Sequence, residues 1–229
     1  GSLQANSFTL AGEHVDAGAY EYRLFQTAQG ATLQSTDTLL AYRSEVPLMS
    51  ALPAQLRQAD MSMLGDMHRR MGDDNVQASN GAGTTSADLG QNRRVWGRIL
   101  RTDPTIHQQG TVTPESSGHM TGFQAGLDLY ANQSIKAGIY VGQLDGDMST
   151  TGFAGGINSK YVGFNTLHSR YLGVYGNWKD ASGLYADTVL QGADYRSQLH
   201  KTENTGANAA TTKGRGWLVS LEVGKPFAL

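Results

Sequence analysis

The dominant signal along this chain is an alternation of apolar and polar positions through its second half. From Gly122 to Asn132, Phe123, Ala125, Leu127, Leu129 and Ala131 share one face, and Gly122, Gln124, Gly126, Asp128 and Tyr130 share the other. Ile135, Ala137, Ile139 and Val141 likewise oppose Lys136, Gly138, Tyr140 and Gly142. Leu172, Val174 and Trp178 oppose Tyr171, Tyr175 and Asn177, and Leu184, Ala186 and Leu190 oppose Tyr185, Asp187 and Gln191. Trp217, Val219, Leu221, Val223 and Phe227 oppose Ser220 and Glu222, while Val95, Gly97 and Ile99 oppose Arg94, Trp96 and Arg98. A period of two marks strands whose two faces meet different surroundings. About six strands are expected from residue 92 onward.

The first half reads differently. Phe8 to Leu10 and Tyr20 to Phe25 alternate over short spans and are broken by Ala-Gly and Gln-Gly turns. A helix follows, expected from Ser50 as N-cap to Gly72 as stop, with Pro53 in its first turn. Leu52, Leu56, Ala59, Met63, Met67 and Met71 recur at spacings of three and four. About 21 helical residues span roughly 30 Å, near the thickness of a bilayer core. The opposite face carries Arg57, Asp60, Asp66, Arg69 and Arg70, so this helix cannot face lipid. Asp73 to Gly90 is a polar, Gly-rich connector.

An alternating sheet fits a soluble sandwich or a membrane barrel. Several strands reach the roughly 9–11 residues that a tilted spanning strand needs. Tyr and Trp lie near strand ends, as in interfacial girdles. Asn132 to Ser134 and Lys179 to Ser182 are short connections, whereas Thr102 to Thr121, Gly146 to Thr166 and Leu199 to Arg215 are expected as long loops. Short periplasmic turns alternating with long outer loops are the outer-membrane pattern. That orientation puts the connector in the periplasm. The polar helix must then pass through the lumen to place residues 1–37 outside the cell.

Composition narrows the classes. The formal net charge is −2, which offers no broad basic field for nucleic acid. Charged residues are 17% and glycine is abundant, at 29. No Cys is present, which excludes a disulfide scaffold or thiolate metal site. No apolar run is long enough for a spanning helix, a test that barrel strands evade.

The order of motifs resembles the monomeric autotransporters of type Va secretion. Val15-Asp16-Ala17-Gly18-Ala19-Tyr20-Glu21-Tyr22-Arg23-Leu24 resembles the last, autochaperone rung of a β-helical passenger. Tyr42 to Leu48 and Ala51 to Gln55 resemble the entry to the lumen helix, and Leu64 to Asp73 its end. Val95-Trp96-Gly97-Arg98, Tyr175-Gly176-Asn177-Trp178, Gly183 to Asp187 and Gly216 to Gly224 resemble barrel strands. The family's last rung usually carries a Trp-Tyr that Gly30 to Ser35 lacks. The family barrel has twelve strands, so about six strands are expected to be a fragment that cannot close alone.

The resemblance implies a mainly β fold: an antiparallel up-and-down outer-membrane barrel with an α-helix threading its lumen. It divides the chain into a passenger end (1–37), a linker and lumen helix (38–74), a periplasmic connector (75–91) and a partial translocator barrel (92–229). It implies export and anchoring of the chain's own passenger in the outer membrane of a Gram-negative bacterium, with the passenger end at the cell surface. Its partners would be that passenger, outer-membrane lipid and the outer-membrane assembly machinery, with no nucleic acid and no cofactor. No substrate is turned over. Some members cleave themselves at a lumen Asn, but Ser50 to Gly72 contains none, so no such cleavage is expected; Asn75 and Asn80 lie in the connector.

Alternation makes Arg98, Asp128, Lys136, Tyr140, Tyr185, Asp187 and Glu222 the candidate lumen-facing residues. Arg57, Asp66, Arg69 and Arg70 are the helix residues expected to face that wall. The alternative to a gripping wall is one that is merely solvated. His68 and His168 could be ligands, or bases beside Asp187, but no H-x-x-x-H spacing supports a metal. Carboxylates spread round a wall do not form a glycosidase cleft. The Met stripe reads as packing, and Asn80-Gly81 as a flexible turn. The competing class is a soluble β-sandwich binding module or adhesin fragment, which would bury Leu127, Ile139 and Leu190.

Overall fold

A computed structural model describes residues 8–27, 29–35, 40–75, 84–90, 93–202 and 209–225. Its elements are β1 (Val15–Ala17), β2 (Tyr20–Thr27), β3 (Gly30–Gln34), α1 (Glu45–Asn75), β4 (Thr84–Gly90), β5 (Arg93–Thr102), β6 (Thr105–His107), β7 (Glu115–Ala131), β8 (Ile135–Ala154), β9 (Ile157–Lys179), β10 (Tyr185–Lys201) and β11 (Ala209–Gly224). One sheet runs in the order β11-β10-β9-β8-β7-β5-β4, with β6 also on β7. Every pairing is antiparallel, between chain neighbours except that β5 pairs β7 across the short β6. The sheet is up-and-down and open, with β4 and β11 as its edges among the described residues.

Its two faces follow the sequence pattern. Ile99, Phe123, Ile139, Val141, Leu172, Val174, Leu190, Trp217, Val219 and Leu221 are exposed on the convex face, Ile99 at 83% and Trp217 at 81%. No second sheet covers that face among the described residues, as a sandwich would require. Trp96, Met120, Tyr140, Leu144, Tyr171, Tyr175 and Val189 are buried on the concave face against α1. That face is therefore less polar than alternation predicts, because the helix covers it in place of water.

The strands are longer than their apolar alternation shows. The stretch expected as a loop from Gly146 to Thr166 is mostly β8 and β9, joined through Gly155 and Gly156. Both glycines have positive φ, 59° and 77°, which is the two-residue hairpin geometry that side chains oppose. The other two expected loops are likewise largely strand. The sheet thus projects beyond its apolar band at one end only. At the other end the turns are short, as expected. Asp180 caps one of them, accepting from the amides of Ser182 and Leu184 at 2.8 and 3.0 Å. Those bonds, led by one from the Ser182 side chain, hold its carboxyl below the ordinary carboxylate range.

Three further expectations change. The helix has 31 residues rather than the span from Ser50 to Gly72, about 46 Å at ~1.5 Å per residue. It starts at Glu45, whose charge suits a helix N-terminus, and it continues through Pro53. A bulge between Asp128 and Tyr130 sets Tyr130 opposite Ala137, on the convex face rather than the concave one. There it joins Trp178 at the short-turn edge of the apolar band. The connector contributes β4, paired with β5, while residues 76–83, with Asn80-Gly81, lie outside the described residues, as does Phe227. At the other end of the chain, β1, β2 and β3 form an antiparallel meander, whereas β-helix rungs stack in parallel.

Glycine on the concave face makes room for rings on the next strand. A Cβ on Gly173 would collide with the Tyr140 ring, and one on Gly138 with the Leu127 carbonyl as well as the Tyr175 ring and hydroxyl. Gly173→Ala is expected to cost about 1–3 kcal/mol by overpacking. Gly176→Ala, whose added carbon meets the Thr188 methyl at 3.3 Å on the convex face, should cost less. Thermal midpoints of the heat-modifiable band on gels would measure both; equal losses would refute the ring-seat account.

Candidate functional site

The concave face is a seat for α1. Ala51, Gln55, Ala59, Met63 and Met67, four residues apart, are all buried on it. The helix starts at the projecting end, where Leu48 packs with Ala154, Val162 and Leu199. It finishes at the short-turn end, where Met67 and Met71 pack with Trp96, Tyr140 and Tyr175.

Polar contacts fix the helix at both ends of this seat. Near its start, the Gln55 amide donates to Ser116 Oγ at 2.9 Å and to Thr150 Oγ1 at 3.2 Å. Asn165 donates to Gln55 Oε1 at 2.8 Å and to the Leu48 carbonyl at 3.2 Å. All four side chains are buried. Midway, Gln124 donates to the Met63 carbonyl at 2.7 Å, and Tyr195 donates to Asp60 at 2.6 Å.

The strongest anchor lies near the helix end. Arg70, 2% exposed, reaches both oxygens of Asp128, 0% exposed, at 2.7 and 2.9 Å. Asp128 also accepts from Arg94 Nε at 3.1 Å and from the Tyr175 hydroxyl. The Arg70 guanidinium lies 4.2 Å from the centre of the Trp96 ring and 5.1 Å from that of Tyr175, as cation–π contacts. Trp96 Nε1 donates to the Tyr175 hydroxyl at 3.0 Å. Both Arg70 bonds come from Nη2, and charge-assisted bonds of this kind are short and strong.

The other expected residues divide. Arg98 faces the helix and pairs with Asp66 at 3.3 Å. Glu222 meets His68 at 3.2 Å, and His68 also meets Ser220 at 3.1 Å. Tyr140 donates to Gln191 at 2.7 Å and Tyr185 to Glu222 at 2.8 Å. Asp187 is buried, accepts from Asn177, and so meets strand rather than helix. Lys136 is half-buried, in register with Asn177. Arg57 and Arg69 are exposed and not covered by the described strands. With Pro53 and Met61 they form its uncovered stripe, because the sheet covers only one side of the helix.

Sequence reasoning missed Gln55, Arg94, Trp96 and Tyr175 as contributors. Gln55 carried a signal, as a polar residue inside an apolar stripe of period four. His168 pairs with Asp145 at 3.0 Å, on the convex face, and not with Asp187. No group of three His, Cys, Asp or Glu among the described residues could hold a metal ion.

Arg70→Met leaves Asp128 only its wall partners Arg94 and Tyr175 and should destabilise helix seating by about 1–3 kcal/mol. Arg70→Met combined with Asp128→Leu should recover much of that loss. Planar-bilayer conductance of the full-length protein would show it as an open, noisy pore in the single variant and a quieter one in the double variant. Equal leak from both would refute the anchor.

A family model described as an autotransporter beta-domain matches residues 95–229. No solved structure matches the chain.

Proposed function

Because this chain belongs to the autotransporter β-domain family, we propose that α1 is the lumen plug and tether left when its own passenger has been exported. The family's β-domain is an outer-membrane translocator of Gram-negative bacteria, a β-barrel of type V secretion with its passenger at the cell surface. It moves a chain and is generally not an enzyme. The observation that carries the proposal is the pair of buried anchors, Gln55 and Arg70, 15 residues apart along one helix, about 22 Å. A helix held at two levels of the wall is fixed against sliding in either direction. It blocks the pore and ties down whatever precedes it.

In this reading residues 1–37 are the passenger end, 38–74 the linker and lumen helix, 75–91 the periplasmic connector and 92–229 the barrel strands. The convex apolar band meets lipid, and the outer-membrane assembly machinery inserts the strands. Arg98, Asp128 and Glu222 grip the helix, while Lys136, Tyr140, Tyr185 and Asp187 line the same wall.

The absence of cysteine allows a direct test. Thr32→Cys should react with a membrane-impermeant maleimide on intact cells. Gln133→Cys, in a short turn, should react only after the outer membrane is permeabilised. Labelling of both sites, or of Gln133→Cys alone, on intact cells would reverse or abolish the orientation.

Within α1 the first Asn is its last residue, Asn75. Asn cyclisation inside the lumen is therefore not expected over residues 45–74. Mass spectrometry of the full-length protein from outer membranes should find no new N-terminus in that span, and finding one would overturn the reading.

A further inference from the structure

We propose that a basic depression on the convex face, just beyond the apolar band, seats the phosphorylated headgroup of an outer-leaflet lipid of lipid A chemistry. This rests on the reading that the convex band meets lipid.

On β9 the outward positions change from Val174 and Leu172 to Arg170, and on β11 from Val219 and Trp217 to Arg215. Register brings these changes together. Arg170 pairs with Asp194, which pairs with Arg215; one level further out, Arg196 on β10 pairs with Lys213 on β11. Four cations thus occupy two successive levels on three adjacent strands, about 4.8 Å apart. They line a depression of about 560 Å³, within the size range of small-ligand sites. Asp194 meets Arg215 at 3.4 Å, and nearby Asp145 is taken by His168. Among the described residues, Arg170, Arg196 and Lys213 have no carboxylate partner.

Two observations point to an anionic amphiphile rather than to a merely solvated rim. Arg196 and Lys213 are direct cross-strand partners, and like charges so placed repel unless an anion lies between them. Two of the cations, Arg170 and Arg215, also lie two residues from Leu172 and Trp217, both strongly exposed. A ligand filling the depression would lay its apolar part on Leu172, Val174 and Val219. Arg forks suit phosphate oxygens, and basic pockets at a membrane boundary bind phosphorylated headgroups. The site lies toward the end where the sheet projects and α1 begins, which is the outer-leaflet side.

The test uses the natural full-length protein in detergent, with native mass spectrometry reading the lipid retained. Bisphosphorylated lipid A should be held at least about tenfold more strongly than its dephosphorylated form. Arg170→Gln, Arg196→Gln, Lys213→Gln and Arg215→Gln together should remove that preference while the heat-modifiable band persists. Equal retention of the two lipids by the unaltered protein would overturn the proposal, whatever the variant does. So would a persisting preference in the folded variant, or displacement of the lipid by millimolar inorganic phosphate. Carbonate extraction from membranes separates the two readings: extraction of the unaltered protein would remove the lipid-facing band itself, and the headgroup site with it.

Discussion

Backbone N–H and C=O groups inside hydrocarbon must find partners within the protein, because no water is there to serve them. In this chain the constraint is met between β4 and β11 by one continuous antiparallel ladder, whose two outer edges stay open among the described residues, and by a helix whose bonds are internal. A strand has only two faces, so once the convex one is given over to apolar side chains, everything polar must resolve on the other. That divides the molecule. Leu172, Val174 and Val219 need no protein partner, whereas every buried charge, Asp128 above all, needs one.

The helix is what satisfies the concave face. Its stripe of Ala and Met is adaptable and unspecific, since Met fills irregular gaps without demanding a particular neighbour. Apolar packing alone would tolerate a shift by one helical turn, about 5.4 Å. Gln55 and Arg70 remove that freedom, because each meets its partners in one register only. A buried ion pair is a poor source of net stability but a good source of uniqueness when both partners are fully engaged. Here Asp128 receives Arg94 and Tyr175 from the wall and Arg70 from the helix, so displacing the helix would part Arg70 from a carboxylate that the wall holds in place.

Much of this was legible in the residues. Alternation assigned Ile139, Leu172 and Leu190 to the outer face and Asp128, Tyr140 and Asp187 to the inner one, because period two is preserved wherever the ladder is regular. It failed at Tyr130, where a bulge shifts the register by one residue. It also failed beyond the apolar band. There both faces of β8 and β9 meet water or protein, so Ser149, Thr150 and Thr151 carry no hydrophobic contrast and read as loop. Gly155-Gly156 was the available sign of a hairpin. Arg57 and Arg69 were assigned by helix periodicity, which gives a face but not its partner. The pairing of Arg70 with Asp128, 58 residues away, has no local signature at all.

The projecting strands also explain how the chain enters α1. Tyr42, just before α1, is gripped from two sides. Its ring contacts Tyr20 at 5.0 Å and Phe153 at 6.2 Å between centroids. Its carbonyl accepts from the amide of Gly155 at 2.7 Å, in the hairpin turn. The Ala41 carbonyl and the Arg43 amide then bond Glu21 and Ala19 at 2.8 and 3.0 Å. The segment preceding α1 is thus joined at once to β2 on one side and to the β8–β9 hairpin on the other. Had β8 and β9 ended with their apolar band, the Tyr42 carbonyl and ring would lose Gly155 and Phe153, and Leu48 in the first turn of α1 would lose Ala154 and Val162. The length of these strands, invisible to hydrophobic patterning, supplies the outer support on which the helix begins.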